Sequence, residues 1–267
     1  MFLTDDHLHT RFSPDSATDP EVVCEQAIKR GLSEITLTDH LDLYTDKTYQ
    51  SQLNCEEWYP CIGNLKEKYR GRLLVHRGIE LGQPQINPGE AKAFLAAYPL
   101  DFIIGSIHNI DQDVDLYYCD YKSMNCQKFY AHYIDWLIDL AKNYDFDVCG
   151  HITYPSRYIF QQTGWQPDMR GYYDQFRILF RVLVERGKGI ELNLSGIARG
   201  TGTTMPDERL LKFYRECGGE IITIGSDSHK PEQVGTVSKL GQEMLQAAGF
   251  KYVTWFEERK PHFEKLG

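Results

Sequence analysis

The sequence lacks an apolar run long enough to cross a bilayer, and its N-terminus lacks the basic stretch followed by an apolar one that marks a secretory signal. We therefore expect neither a membrane partner nor export. Basic residues are also scarce, since 29 Lys and Arg stand against 38 Asp and Glu, for a formal net charge of -9. Affinity for nucleic-acid backbones rests on Lys and Arg, so this balance argues against nucleic acid as the main partner.

Paired cysteine motifs are absent as well. The seven cysteines are odd in number, widely scattered and never spaced as Cys-x-x-Cys. This usage indicates reduced thiols and predicts a cytoplasmic protein. The composition is that of a globular protein, with 42% hydrophobic, 25% charged and 13% aromatic residues. The length allows one large α/β domain with a sizeable core, and we expect a single domain over residues 1–267.

Strand and helix patterns alternate along the chain. Short apolar runs predict strands at 1–9, 33–40, 73–81, 101–108, 147–151, 189–194 and 220–225. Helices are expected at 20–31, 56–70, 88–98, 125–144, 172–186, 206–217 and from Pro231 onwards. We expect a long loop over 154–171 and a short terminal strand over 251–256. This alternation suits right-handed βαβ units and predicts a parallel barrel of seven or eight strands.

The first predicted strand ends in the motif Asp5-Asp6-His7-Leu8-His9. Side chains alternate between the two faces of a strand, so His7 and His9 would point the same way, roughly 7 Å apart. This spacing suits two ligands of one metal ion. An exposed or hydrogen-bonded pair of histidines would give the same pattern, so the prediction depends on what the later strands carry.

Most of the later predicted strands end on a residue that can bind a metal. These residues are His40, Glu80, His108, His151, Asp227 and His229, and Asp15 lies in the loop after the first strand. Functional residues gather at the C-terminal ends of the strands in parallel barrels, so we expect one shared metal site. Imidazoles and carboxylates suit zinc, manganese or iron, and nine candidates exceed the needs of one tetrahedral zinc. The alternatives are an ordinary turn residue for Asp15 and structural, hydrogen-bonded roles for the others.

The remaining histidines act as internal controls. His76 lies four residues before Glu80 with the same parity, so it should sit near the barrel floor. His132 falls in a predicted helix and His262 in the charged C-terminal segment, so we expect both to face solvent.

Together the motifs resemble those of the PHP (polymerase and histidinol phosphatase) family, from Asp5 to about Gly235. The matching segments are Asp5-x-His7-x-His9, Thr38-Asp39-His40, Glu80, Ser106-Ile107-His108, His151 and Asp227-x-His229. The segment Glu191-Leu192-Asn193-Leu194-Ser195-Gly196 and the segment from Gly225 to Glu232 most resemble the histidinol-phosphate phosphatase branch. The resemblance implies a distorted (β/α)7 TIM-like barrel with a trinuclear metal site at the C-terminal ends of its strands.

The resemblance also implies how the ligands are shared. His7, His9, Glu80 and Asp227 would hold the first ion. Glu80 would bridge to a second ion held with His108 and His151. Asp15, His40 and His229 would hold the third. Some relatives have a histidine in the loop of Asp15, so the expectation is two to three divalent ions.

Candidate substrate contacts follow from the charge of a phosphate monoester, which needs neutralisation around the transferring group. Arg157, after His151, and Arg199, after Ser195-Gly196, lie past strand ends and can contact phosphate through two hydrogen bonds. Segments 41–50 and 109–121 carry carboxylates and aromatic rings, which can bind a cationic group of the substrate. Tyr117 is the preferred contact. Their candidates are Asp42, Tyr44, Asp46, Asp111, Asp113, Asp115, Tyr117 and Tyr118. Solvated surface side chains are the alternative for each.

These features predict a metal-dependent phosphomonoesterase acting on a small molecule. The resemblance implies that the reaction is hydrolysis of L-histidinol phosphate to L-histidinol and phosphate, a step of histidine biosynthesis. A hydroxide bridging the first two ions would attack phosphorus, with Glu80, Asp227 and Arg199 as catalytic residues. The alternatives are a PHP-type phosphoesterase for nucleotides or another small phosphorylated metabolite, and a metal-binding protein without catalysis.

Overall fold

A computed structural model describes residues 1–45, 53–111 and 114–267. Eight strands form its main sheet. They are β1 (Thr4–Leu8), β2 (Glu34–Leu37), β3 (His40–Asp42), β4 (Leu74–Gly82), β5 (Phe102–Ser106), β6 (Val148–Cys149), β7 (Gly189–Asn193) and β8 (Ile222–Gly225). Strands β2 and β3 both run parallel to β4, one after the other, so they share one position in the sheet.

Helices connect the strands. They are α1 (Pro20–Lys29), α2 (Cys55–Lys68), α3 (Pro88–Ala97), α4 (Cys126–Asn143), α5 (Pro155–Thr163), α6 (Tyr173–Glu185), α7 (Ser195–Ala198), α8 (Glu208–Glu216) and α9 (Ser238–Ala247). Local chemistry sets where several begin, because polar side chains accept hydrogen bonds from first-turn amides. Asp19 caps α1, Asn125 caps α4 and Asp207 caps α8 in this way.

The sheet curls into a nearly closed barrel with the strand order β1-β2-β4-β5-β6-β7-β8. Strand β8 returns to β1 through the parallel bridge between Leu8 and Ser228, where the His9 amide donates to the Ser228 carbonyl at 2.9 Å. The predicted (β/α)7 barrel is confirmed. Parallel strands with helices outside put every C-terminal strand end at one rim.

A C-terminal hairpin lies at the opposite end of the barrel. It consists of β9 (Tyr252–Glu257) and β10 (Lys260–Lys265), paired antiparallel. The Thr254 hydroxyl accepts from the amide of Ile222 at the start of β8, and Trp255 lies 5.2 Å from His76 between ring centroids. The hairpin therefore covers the barrel floor. The predicted terminal strand exists, but it pairs with β10, which the sequence did not predict.

Two expectations about elements were wrong. Residues 155–163, predicted as part of a loop, form α5, which begins at Pro155 and ends at Gly164 with φ 71°. The last long helix begins at Ser238 rather than Pro231, because the intervening residues form turns up to Gly235, where φ is 66°. Within the described ranges, no helix combines the length and the apolar character needed to span a membrane.

Two of the three control histidines behave as expected, and the expectation for His262 was wrong. His76 is buried at the floor, and His132 on α4 keeps about half of its side chain exposed. His262 is half-buried rather than solvent-facing, because its ring stacks on Trp255 at 4.2 Å.

Candidate metal centre

The end of β1 brings two imidazoles together under the C-terminal rim. His7 and His9 are each 1% exposed, and their Nε2 atoms lie 3.1 Å apart. The His7 Nε2 is 3.2 Å and the His9 Nε2 is 3.5 Å from Oε2 of Glu80. Ligand atoms of these three residues all lie within 4.8 Å of one another, a spacing that one ion can bridge.

Glu80, near the end of β4, lies between two groups of histidines. Its Oε2 is 3.2 Å from His7 Nε2 and 3.1 Å from His40 Nδ1. Its Oε1 is 3.1 Å from His108 Nε2 and 2.8 Å from His151 Nε2. The strand register explains the position of His40, because this residue lies opposite Glu80 in the β3–β4 pair. One buried carboxylate thus faces both groups, which is the arrangement of a bridging ligand.

A third group lies nearer to solvent. His9, His40 and His229 form a cluster whose ligand atoms are all within 4.8 Å, and the His9 and His229 rings stack at 4.1 Å. Asp15, half-exposed at the rim, lies 2.9 Å from His229 Nε2 and 3.8 Å from His40 Nε2. Asp227 Oδ1 lies 3.6 Å from His9 Nε2. All nine predicted ligands therefore converge in space.

The charges in this cluster are mutually dependent. Burial disfavours the ionised form of Glu80, but the positive charges of His7, His108 and His40 outweigh it and hold the pKa of Glu80 well below its usual value. Burial also opposes ionisation of Asp227, and nearby histidines with Arg199 keep its pKa low. Buried carboxylates that stay ionised only beside cationic groups suit a site that takes up metal cations in place of protons.

A cavity of about 740 Å³ opens above the cluster. Its wall includes Arg199, whose Nη2 lies 3.6 Å from Asp227 Oδ1 and donates to the Asp227 carbonyl at 3.1 Å. Arg157 donates to the Tyr158 hydroxyl at 2.6 Å and lies over the ring of Tyr154 at 4.9 Å. The catalytic candidates Glu80, Asp227 and Arg199 and the proposed phosphate contact Arg157 thus all line this cavity.

Some of the candidate residues in the two predicted substrate loops line the cavity, and others do not. Tyr117 and Tyr118 line the cavity with Asp115, whereas Asp111 pairs with His132 outside it. Asp46 and Asp113 lie outside the described residues. Asp42 does not face the cavity as a free carboxylate, because its Oδ1 accepts from His108 Nδ1 at 2.7 Å.

Known proteins match this chain over nearly its whole length. The family model described as PHP domain matches residues 5–195. The chain belongs to the PHP family. Among curated relatives, the histidinol-phosphatase of Lactococcus lactis is 29% identical to this chain. The alignment covers 97% of this chain and 96% of the relative. The probable histidinol-phosphatase of Clostridium acetobutylicum is also 29% identical, covering 96% of this chain and 97% of the relative.

A solved structure has the same fold as the PHP chain. The histidinol phosphate phosphatase of Lactococcus lactis, complexed with zinc, L-histidinol and phosphate, matches with a TM-score of 0.79 and 23% identity. The match covers 97% of this chain and 98% of that one. At this identity the likeness describes the fold.

The sequence did not reveal the residues that contact the candidate ligand histidines on the side facing away from the cluster. Ser13 lies 3.0 Å from His9 Nδ1 and donates to Asp39 at 2.9 Å. Glu191, on β7, contacts His7 Nδ1 at 2.7 Å. A signal existed for Glu191, because a glutamate inside an otherwise apolar strand predicts a buried partner. Ser13 and Asp39 carried no such signal, since polar residues in loops are common.

Proposed function

We propose that this PHP chain is a metal-dependent phosphomonoesterase that hydrolyses L-histidinol phosphate to L-histidinol and phosphate, a step of histidine biosynthesis. The observation that carries the proposal is the position of Glu80, which has histidines at both carboxylate oxygens beneath a cavity with two arginines in its wall. Full-length relatives named histidinol-phosphatase support it. So does the Lactococcus structure, which contains zinc, L-histidinol and phosphate.

The donor set fits divalent ions. His7, His9, Glu80 and Asp227 would hold the first, Glu80, His108 and His151 the second, and Asp15, His40 and His229 the third. Imidazole and carboxylate donors accept zinc, manganese or iron, and zinc is the ion named for the Lactococcus protein. Bound divalent ions would act as Lewis acids. They would also lower the pKa of a water molecule bound to them, so that hydroxide is available at neutral pH.

The two arginines bind the phosphoryl group in this proposal. Arg199 lies beside Asp227 at the edge of the cluster, so its guanidinium can reach oxygens of a phosphate held there. Arg157 is already fixed by Tyr158, by the Ser195 hydroxyl at 3.3 Å and by stacking on Tyr154. A guanidinium that is held before the substrate arrives loses little entropy on binding, which favours stabilisation of charge in the transition state.

The tyrosines and Asp115 bind the organic part of the substrate. Tyr117 is half-exposed at the cavity wall, and its ring meets that of Tyr158 edge-on at 5.3 Å. L-Histidinol carries an amine and an imidazole, for which aromatic faces and a carboxylate are suitable partners. Asp227, whose pKa is held low, suits a ligand better than a proton donor to the leaving alkoxide.

We also infer that residues 1–267 form one barrel unit located in the cytoplasm. The seven cysteines, all within the described residues, are free thiols, as a reducing compartment requires. The acidic balance of the chain supports a small-molecule substrate rather than nucleic acid.

Phosphate release tests the proposal. Purified protein, stripped with a chelator or reconstituted with zinc, manganese or iron, is supplied with L-histidinol phosphate, a nucleoside monophosphate or p-nitrophenyl phosphate. We expect fast turnover of L-histidinol phosphate alone, and only in reconstituted samples. Equal, slow turnover of all three would contradict the substrate. Undiminished turnover in a metal-stripped, folded sample would contradict the mechanism.

A further inference from the structure

Glu191 is fully buried in β7, a strand that contributes none of the nine candidate ligands. Both of its carboxylate oxygens have partners. Oε1 accepts from His7 Nδ1 at 2.7 Å and from the Asn193 amide at 3.2 Å. Oε2 accepts from the backbone N–H of His151 at 2.8 Å. The Asn193 amide and the His151 backbone N–H can only donate, so each oxygen of Glu191 acts as a hydrogen-bond acceptor.

The contact with His7 decides which ring nitrogen faces the cluster. A neutral imidazole that donates from Nδ1 keeps its lone pair on Nε2. That nitrogen is the one 3.2 Å from Glu80 and 3.1 Å from His9 Nε2. With the proton on Nε2 instead, the ring would present a donor to the metal position and could not bind an ion there.

The contact with His151 acts on the backbone. His151 has φ 22°, in the left-handed region that non-glycine residues rarely adopt. The hydrogen bond from its N–H to Glu191 supports this conformation at the point where the chain leaves β6, and the side chain then reaches Glu80 Oε1 at 2.8 Å.

The neighbouring strand is shaped around this carboxylate. At Gly225, the last residue of β8, a Cβ atom would lie 2.1 Å from Glu191 Oε1 and 2.5 Å from the Cβ of His7. A side chain at position 225 would therefore displace the contact between Glu191 and His7. Glycine is the residue that permits it.

We propose that Glu191 is a positioning residue of the metal centre. One carboxylate that binds no ion fixes the Nδ1–H tautomer of His7 and the backbone of His151, so it orients ligands assigned to two different ions. Carboxylates that accept from ligating histidines raise metal affinity, and their loss typically costs about 10- to 100-fold. The inference rests on the proposed metal centre, but its test does not require knowledge of the substrate.

Zinc affinity of the Glu191→Gln variant, measured by competition with a chelator, tests the proposal. We expect at least one zinc position to weaken by about 10- to 100-fold, because an amide cannot accept at both oxygens. Glu34→Gln is the matched control. Glu34 is equally buried but lies at the start of β2, and burial with nearby Asp6 raises its pKa, so the neutral amide should be tolerated with unchanged zinc affinity. Equal affinity in Glu191→Gln and wild type, or an equal loss in both variants, would overturn the proposal.

A spectroscopic measurement keeps the test decisive even if Glu191→Gln does not fold. In metal-free protein with ¹⁵N-labelled histidine, at a pH at which the His7 ring is neutral, the ring nitrogen shifts report the tautomer that Glu191 selects, and a His7→Asn variant assigns the His7 signals. We expect His7 to carry its proton on Nδ1 in the wild type and to lose this signature in Glu191→Gln. A proton on Nε2 in the wild type would refute the proposal.

Discussion

At the scale of single residues, several histidines of the centre use their two ring nitrogens for different tasks. His108 faces Glu80 through Nε2 and Asp42 through Nδ1. His9 faces the cluster through Nε2, while its Nδ1 contacts Ser13. Such outer contacts fix ring orientation before a ligand arrives, so the cluster is preorganised.

Removal of a proposed ligand tests the centre directly. His7→Ala and Asp227→Ala should each abolish phosphate release while the circular dichroism spectrum stays that of a folded protein, because each change removes a donor from the first ion. His132→Ala provides the control, since that histidine lies half-exposed on α4 and pairs with Asp111 away from the cavity. Wild-type turnover in His7→Ala would count against the assignment.

The arginine at the edge of the cluster offers a second test. Arg199→Ala should lower kcat/KM by about 10²-fold, because a preorganised cationic donor to the transferring group is lost. Arg170→Ala should leave kcat/KM unchanged, since Arg170 is exposed and pairs with Asp168. An unchanged kcat/KM in Arg199→Ala would remove this residue from the proposed substrate contacts.

At the scale of elements, the sequence predicted the barrel strands and the position of the candidate ligands for one physical reason. Buried parallel strands are apolar on both faces, so a polar residue at a strand end, such as Glu80 or His108, is conspicuous. Helix α5 escaped prediction because its apolar residues are few and it begins at Pro155, which reads as part of a loop. The roles of Asp42 and Glu191 depend on distances between strands far apart in sequence, which periodicity does not contain.

The tight end of β8 gives a prediction at this scale. Gly225→Ala should lower the free energy of unfolding by about 1–3 kcal/mol, because the new methyl group overlaps Glu191 and the Cβ of His7. Gly171→Ala is the control, since a Cβ there meets nothing within 4 Å. Urea unfolding monitored by fluorescence would measure both. Equal free energies of unfolding for Gly225→Ala and wild type would contradict this prediction, because they would show that the end of β8 accommodates the methyl group without strain.

At the scale of the whole molecule, the two ends of the barrel have separate tasks. The C-terminal rim carries the cluster and the cavity, and the hairpin seals the floor. Asp101 joins the floor to the hairpin, because it accepts from the backbone N–H of Arg77 at 3.0 Å and of Glu258 at 3.2 Å. Lys66 of α2 adds an ion pair at 3.2 Å.

The acid stability of the fold should depend on Asp101. Burial alone would raise its pKa, but the His76 imidazole 3.7 Å away and hydrogen bonds from the backbone N–H groups of Arg77 and Glu258 outweigh burial and hold the pKa well below its usual value. A lowered pKa stabilises the folded state above the unfolded value of about 3.9, and this contribution is lost as the pH falls below it. The melting temperature of the wild type should therefore exceed that of Asp101→Asn by a constant difference from about pH 5 upward. This difference should shrink below about pH 4. Calorimetry across pH 3–7 measures it, and a margin independent of pH would contradict this account.

Because the floor is covered, the cavity opens at the rim. His76 and Trp255 fill the barrel below the centre, so substrate enters and products leave through the rim. In the proposed function phosphate binds deepest, at the cluster and Arg199, so it should leave only after the alcohol nearer the mouth has gone. Release is then ordered, and phosphate should inhibit competitively against substrate while L-histidinol inhibits noncompetitively. The architecture of the far end of the barrel thus dictates the sequence in which products leave.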